Sequence, residues 1–378
     1  MSVPILDLSR SFKSIRPEVE EALQKILDNQ NFILGQEVKS FEKHAANYLE
    51  IPETNAISCA SGTDALLLAL MALDVKADDE IITTPFTFFA TSGTIARLGA
   101  KPVFVDVEPD TYNINLNQVV DKITAKTKIF LPVHLFGQMT PLENIKNELD
   151  ARNIKIVEDA AQAFGTHRMI NGKITRAGTV GAIGCYSFFP TKNLGGCGDG
   201  GMCVTHDENL AERLKKLRVH GSGATYFHDE VGINSRLDTI QATILDIKLK
   251  HLENWNAQRR KLADNYKILF AASGLEEFLT TPRELEGNYH IYHQYVIKVY
   301  ERRDELMKYL DGLNIATRVY YPLALHLQPC FKYLGYKAGD FPEAEKLTSE
   351  VLALPIFPEL KFSEQEELVN AIKKFFRV

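Results

Sequence analysis

Cysteine is scarce and in no useful pattern: Cys59, Cys185, Cys197, Cys203 and Cys330 form an odd set of five without a Cys-x-x-Cys spacing. That disfavours a disulfide framework or a thiolate zinc site. Cys197, in a glycine-rich loop, reads either as a small loop filler or as a reactive thiol. The ten histidines are scattered, without the i, i+4 pairing alongside an acid that marks a helical metal site, so no catalytic metal is expected. Basic residues are not in excess, with 43 Lys and Arg against 49 Asp and Glu. No Lys/Arg run is interleaved with aromatics, so nucleic acid is not an expected partner. The longest apolar run, residues 65–73, falls short of the ~20 residues needed to cross a bilayer. The segment from Ser2 onward has no basic stretch leading into an apolar one, so neither a secretory signal nor a membrane partner is expected and the chain reads as cytoplasmic.

What is present is an enzyme-sized chain of 378 residues, 45% hydrophobic, enough for a large core and two domains. Short β-rich runs at 56–58, 80–83, 102–105, 129–133, 154–157 and 186–188 alternate with helical patterns. This predicts an α/β fold with a mostly parallel central sheet, because strands buried on both faces read as continuous apolar runs. Functional residues should gather where loops follow the strands' carboxyl ends. After Arg236, one long helical pattern runs from Leu237 through Ile244, Leu249 and Trp255 toward Tyr266 and Phe270. Beyond it a strand at 294–299, a helix at 303–313, a strand at 316–320 and helices at 344–352 and 363–376 suggest a smaller α+β region. The expected division is residues 1–240, with N-terminal helices and the large domain, and 241–378, with a bridging helix and the small C-terminal domain.

The chemistry concentrates at strand ends. Lys192 lies between the 186–188 strand and Gly195-Gly196, and the 154–157 strand leads into Glu158-Asp159-Ala160-Ala161-Gln162. An amine and a buried-strand carboxylate are what pyridoxal phosphate needs: one forms a Schiff base with the aldehyde, the other keeps the ring nitrogen protonated. Each also has a plainer reading, a surface lysine in a loop and a helix cap. Ser61-Gly62-Thr63-Asp64 precedes a strong helix former, so backbone N–H groups at the helix start, the Thr63 hydroxyl and the close approach that Gly62 allows would suit a phosphate; a simple cap has the same composition. Ser187 offers another hydroxyl or a bond to backbone. Phe88, in Phe86-Thr87-Phe88-Phe89, offers a ring to stack on a cofactor or to fill the core. Gln162 reaches either the cofactor or solvent.

Taken together, Ser61-Gly62-Thr63-Asp64-Ala65-Leu66, Glu158-Asp159-Ala160-Ala161-Gln162, Ser187-Phe188-Phe189-Pro190-Thr191-Lys192-Asn193-Leu194-Gly195, Gly198-Asp199-Gly200-Gly201 and Gly232-Ile233-Asn234-Ser235-Arg236-Leu237-Asp238 resemble the successive motifs of the DegT/StrS nucleotide-sugar aminotransferases. The resemblance runs nearly end to end. It implies a fold-type-I enzyme with pyridoxal 5′-phosphate, an aspartate-aminotransferase-like fold and a homodimer with shared active sites. The implied reaction moves an amino group from L-glutamate to a keto sugar nucleotide, with a C3-keto sugar on UDP or dTDP favoured, in amino-sugar or surface-polysaccharide biosynthesis. By matching position, Lys192 is the Schiff-base lysine and Asp159 the pyridinium partner. Gln162 and Phe88 contact the ring, and Gly62, Thr63 and Ser187 hold the phosphate. Asn234 reaches the phosphate of the other subunit's cofactor, and Arg236 lies near that substrate. Tyr320, Tyr321 and His326 fall in a region that meets the sugar nucleotide; members often carry histidine where this chain has Tyr320.

Two alternatives stand on the same fold. A sugar dehydratase of this group replaces the lysine, commonly by histidine, whereas Lys192 is present. A non-catalytic pyridoxal-phosphate-binding regulator would not need the full catalytic set.

Overall fold

The computed structural model describes residues 2–224 and 226–378. Its centre is a sheet of seven strands: β1 (Ala56–Cys59), β2 (Glu80–Thr83), β3 (Lys101–Phe104), β4 (Thr127–Phe130), β5 (Lys155–Asp159), β8 (Ile183–Ser187) and β9 (Gly201–Val204). A hairpin of β6 (His167–Ile170) and β7 (Lys173–Arg176) lies outside it. The spatial order is β1-β9-β8-β5-β4-β2-β3. Six strands run parallel and β9 runs against them. Every position of β1, β2 and β9 is buried, which is why the sheet's strands carry apolar residues without alternation. The exception, β9, does not stand out in the sequence. It follows β8 through a loop with no crossover helix, and a parallel return would require one.

Four early helices frame the sheet: α1 (Leu8–Asn29), α2 (Gln36–Leu49), α3 (Gly62–Ala72) and α4 (Ala90–Arg97). The third is apolar on all sides because it is enclosed, with Ala65, Leu66, Leu68, Ala69 and Leu70 in one core with Ile57, Ile81 and Val157. The long helical pattern after Arg236 is two helices, Thr239–Leu249 and Leu252–Ala271. Ile244 and Ile247 of the first pack on Ile15 and Val19 of α1. Leu262, Tyr266 and Phe270 of the second enter the C-terminal core with Tyr295, Ile297 and Leu354. The break lets the two halves of one apolar pattern face different cores.

The C-terminal region forms a three-stranded antiparallel sheet of Leu279–Thr280, Tyr295–Val299 and Val351–Leu354, covered by Arg303–Gly312 and Phe362–Phe376. Here the sequence reading needs correcting twice. Residues 316–320 form no strand, only an isolated bridge between Arg318 and Ala353. The helix expected to reach 352 ends at Glu350, and Val351–Leu354 is the missing strand. A four-residue apolar run buried on every side reads the same in either conformation.

Candidate active site

A cavity of about 490 Å³ opens at the carboxyl ends of the parallel strands. Successive strands each deliver something to it: Gly62 and Thr63 after β1, Phe88 after β2, Asp159 at the end of β5 with Gln162 just beyond, and Ser187 and Lys192 from β8 and its loop. Tyr320, Tyr321 and His293 close it from the C-terminal region.

At one end lies an anion cradle. Ser61 caps α3, its Oγ accepting from Asp64 N–H at 3.1 Å and its carbonyl from Ala65 N–H at 2.9 Å. Helix geometry leaves the N–H groups of Gly62 and Thr63 without intrahelical acceptors. A Cβ on Gly62 would stand 2.6 Å from Ser187 Cβ. The glycine therefore lets the end of β8 approach the helix start, so that the Ser187 hydroxyl and those N–H groups converge. Behind the cradle Ser235 donates to Asp64 Oδ2 at 2.7 Å and accepts from Ala60 N–H at 3.1 Å, tying the 232–238 segment to it.

Asp159 forms another wall. Its buried carboxylate accepts from Thr91 Oγ1 at 2.8 Å and Ala161 N–H at 3.2 Å, and Thr91 in turn meets Thr87 Oγ1 at 3.2 Å. Burial raises the Asp159 pKa from its ordinary value, against the lowering effect of the Thr91 bond, the Ala161 N–H bond and the Lys192 charge. Lys192 is partly buried and borders the cavity. Burial lowers its pKa to about 8, with the Asp159 charge opposing.

The 86–89 aromatics separate by role. Phe86 is fully buried, whereas Phe88 is 59% exposed at the cavity wall, 6.5 Å from the Tyr321 ring. Gln162 is held on both sides of its amide, accepting from Phe136 N–H at 2.8 Å and donating to Tyr321 Oη at 3.0 Å. Tyr320 is half-buried at the rim.

Three expected residues are not brought to Lys192 within one chain. Asn234 and Arg236 line a separate cavity of about 430 Å³ with Gly198 and Asp238, and Asp199 borders both cavities. His326 is the clear departure. The turn at Leu325–Leu327 points its imidazole inward, where it bonds Glu345 at 3.0 Å and packs 4.7 Å from the Phe341 ring. With 1% of its surface exposed, it does not border the cavity.

Sequence reasoning missed Thr91, His293 and the partner of Glu158. Glu158 is fully buried on the far side of its strand, bonded to His134 at 2.7 Å and to the N–H groups of Gly178, Val180 and Gly181. Burial pushes its pKa up, but these bonds more than offset that and bring it below the ordinary value. It anchors the loop before β8 to β5. Its legible signal was the Glu-Asp pair itself, since alternation sends adjacent strand residues to opposite faces.

A fold-type-I sheet with an amine, an opposed carboxylate and an anion cradle around one cavity defines a pyridoxal-phosphate enzyme. Residues 13–373 match the DegT/DnrJ/EryC1/StrS aminotransferase family, and the chain belongs to that family. It is 49% identical to a pleiotropic regulatory protein of Geobacillus stearothermophilus, over all of this chain and 99% of the relative. A UDP-N-acetyl-3-dehydro-α-D-glucosamine 3-aminotransferase of Acidithiobacillus ferrooxidans is 39% identical, over 99% of this chain and 98% of that one. Among solved structures, S. venezuelae DesV in complex with a ketimine intermediate superposes with a TM-score of 0.93 at 37% identity, covering 99% of this chain and 98% of that chain. Pyridoxal phosphate is the cofactor of the family, and the Gly62–Ser187 cradle has the close approach and donors its phosphate requires.

Proposed function

We propose that this protein transfers the amino group of L-glutamate to the C3 keto group of a UDP- or dTDP-linked sugar, in the cytoplasm, as a homodimer whose two subunits share each active site. The observation that carries this reading is the placement of Lys192 and Asp159 on one cavity with the Gly62–Ser187 cradle at its end. The relatives named as nucleotide-sugar aminotransferases support the acceptor class. Among the described residues no helix is long and apolar enough to cross a membrane.

Bound here, the cofactor would supply an aldehyde to carry nitrogen and a protonated ring to draw electrons from the substrate carbon. Gly62, Thr63 and Ser187 would hold its phosphate, and Phe88 and Gln162 would border its ring. Asp159, kept in place by Thr91, would hold the proton on the ring nitrogen. Lys192 would bond the aldehyde and, once displaced, move a proton to and from the substrate carbon as a free amine. A pKa of about 8 suits that work: at pH 7.5 roughly a quarter of such lysines are unprotonated, against about one in a thousand at the ordinary value. Asn234 and Arg236, facing their own cavity, would serve the other subunit's phosphate and substrate, with Tyr320 and Tyr321 toward the sugar.

The test is turnover of a panel of 3-keto and 4-keto UDP- and dTDP-sugars with glutamate, following 2-oxoglutarate and the mass of the aminated sugar. Amination of a 3-keto substrate is the expected result. No sugar turnover and no change in the cofactor's visible band on adding glutamate would overturn the reading in favour of the regulator or scaffold alternative. The dehydratase alternative would instead yield a deoxygenated sugar with no nitrogen added to it.

A further inference from the structure

Tyr321 meets the cavity from the C-terminal region, its ring 6.0 Å from that of Phe86 and 6.5 Å from that of Phe88. Two residues behind it settle the direction of its hydroxyl. Phe136 N–H can only donate and stands 2.8 Å from Gln162 Oε1, so the amide oxygen of Gln162 faces Phe136 and its NH₂ group faces the tyrosine. That NH₂ group can only donate, so Tyr321 Oη accepts from it at 3.0 Å. The tyrosine's own hydrogen is turned away from Gln162, and among the described residues nothing accepts it. The base of this relay is fixed: Phe136 holds the left-handed backbone conformation at φ 56°, uncommon for an aromatic residue, and Asn113 Oδ1 accepts from the preceding Leu135 N–H at 3.0 Å. Burial raises the Tyr321 pKa, against the lowering effect of the Gln162 bond, and the Asp159 charge adds to the rise, so the phenol stays protonated and serves as a donor, not a base. Thr87, by contrast, has no hydrogen to spare: Thr91 gives its own to Asp159, so Thr87, 3.2 Å away, must give its hydrogen to Thr91.

Transamination replaces a carbonyl oxygen by nitrogen, and that oxygen gains negative charge as nitrogen adds to its carbon. A fixed neutral donor on the cavity suits such an oxygen. We propose that Tyr321 donates its hydrogen to the carbonyl oxygen of the keto partner, and that Gln162, held by Phe136, is the positioning residue that points it there. The exchange makes a bond from carbon to the incoming nitrogen and breaks the bond to oxygen, which leaves as water with both hydrogens of the attacking amine; the tyrosine lends a hydrogen bond and keeps its proton. The inference rests on the aminotransferase reading and adds to it the group that meets the departing oxygen.

The experiment is single-turnover kinetics of protein loaded with pyridoxamine phosphate, mixed with 2-oxoglutarate or with the accepted keto sugar and followed by the cofactor's visible band. Tyr321→Phe should slow both reactions about five- to tenfold, the loss of one neutral hydrogen bond. Gln162→Glu keeps the shape and the Phe136 bond, but its carboxylate accepts from the tyrosine and draws the hydrogen away from the cavity, so it should slow both reactions as much with the tyrosine still present. Because the second effect runs through the first, the double variant should be no slower than Tyr321→Phe alone. The pH midpoint of the resting pyridoxal phosphate band, recorded with no keto partner bound, should not move in Tyr321→Phe. A Tyr321→Phe rate within twofold of wild type, or additive losses in the double variant, overturns the proposal. A shifted resting midpoint also overturns it, showing that the hydrogen goes to the cofactor ring. Should Gln162→Glu not load the cofactor, Gln162→Leu decides by the same cycle: it must slow the Tyr321 protein and not the Tyr321→Phe protein, and equal slowing in both refutes the relay. The 2-oxoglutarate arm needs no sugar. No wild-type reaction there would sink the aminotransferase reading and this inference with it, whereas a normal wild-type rate that Tyr321→Phe leaves unchanged sinks the inference alone.

Discussion

Replacing Gly62 by alanine tests the phosphate cradle directly. The added Cβ would lie 2.6 Å from Ser187 Cβ, 3.0 Å from its Oγ and 3.1 Å from its Cα. Carbon atoms in contact normally sit about 3.5–4.0 Å apart, so the overlap is about 1 Å, and rotating the serine cannot relieve it. Cα and Cβ are fixed by the sheet, where Ser187 pairs with Gly201. Overpacking of this kind costs about 1–3 kcal/mol. It is relieved by pushing the start of α3 away from β8, which separates the donors that must converge on one phosphate. If all of that cost falls on the bound state, pyridoxal phosphate should bind about 5- to 150-fold more weakly. The assay is fluorescence titration of apoprotein with the cofactor, with the unfolding midpoint followed in parallel. Adding Ser187→Gly removes the obstructing carbon along with a hydroxyl. Because the two sites touch, their effects should not add, and the double variant should bind more tightly than Gly62→Ala alone. A single variant within twofold of wild type, or a double variant no tighter than the single, would refute the steric reasoning.

Asp159→Ala should lose at least a hundredfold in kcat while cofactor affinity changes less than tenfold, because the function removed is electron withdrawal; kcat within a few-fold of wild type would contradict the assigned role. Lys192 makes a stability prediction as well. Its folded pKa of about 8 lies below the reference 10.5, so between those values the unfolded chain holds more protons and stability rises with pH, by up to about 3 kcal/mol across the window. In urea unfolding of apoprotein at pH 7.5 and 9.5, Lys192→Met should remove that rise and be the more stable protein at the lower pH; equal pH slopes would show that the amine is well solvated. For the shared site, Lys192→Ala and Asn234→Asp should each be nearly inactive, and co-refolding them in equal amounts should restore about a quarter of wild-type activity, since half the dimers then carry one intact site of two. No recovery once heterodimers are verified would show that Asn234 serves its own chain.

The parallel strands were legible because burial on both faces leaves a mark in composition: Ile81-Ile82 and Ile156-Val157 are apolar without alternation. Where that mark is shared by two conformations, the reading slipped. Val351-Leu352-Ala353-Leu354 continues the apolar pattern of the helix before it, and only pairing with Tyr295–Val299 makes it a strand. The single long helix failed for the opposite reason. Its apolar periodicity is nearly continuous across residues 250–251, and nothing local says that Ile247 and Leu262 belong to different cores.

The site divides along a related line. Residues facing the cavity from strand ends, Lys192, Asp159, Gly62 and Ser187, sit beside recognisable local context, a glycine loop or a helix start, so sequence alone proposed them. Residues that act on other residues carry no such context. Thr91 matters because it reaches Asp159 from 68 positions away, and Phe136 because its N–H orients the Gln162 amide from 26 positions away. His326 shows the converse: a histidine in an expected sugar-binding stretch is drawn inward by Glu345, 19 residues on, in a part of the chain that the motif does not include. Local sequence thus points to the groups that meet a ligand, while the groups that set their orientation and protonation are fixed by tertiary pairing. The electrostatics give a physical reason for both sets. Burial works against the charges of Lys192 and Asp159, and the Thr91 hydroxyl bonded to the Asp159 carboxylate favours its anion, the form that would hold the proton of a pyridine ring.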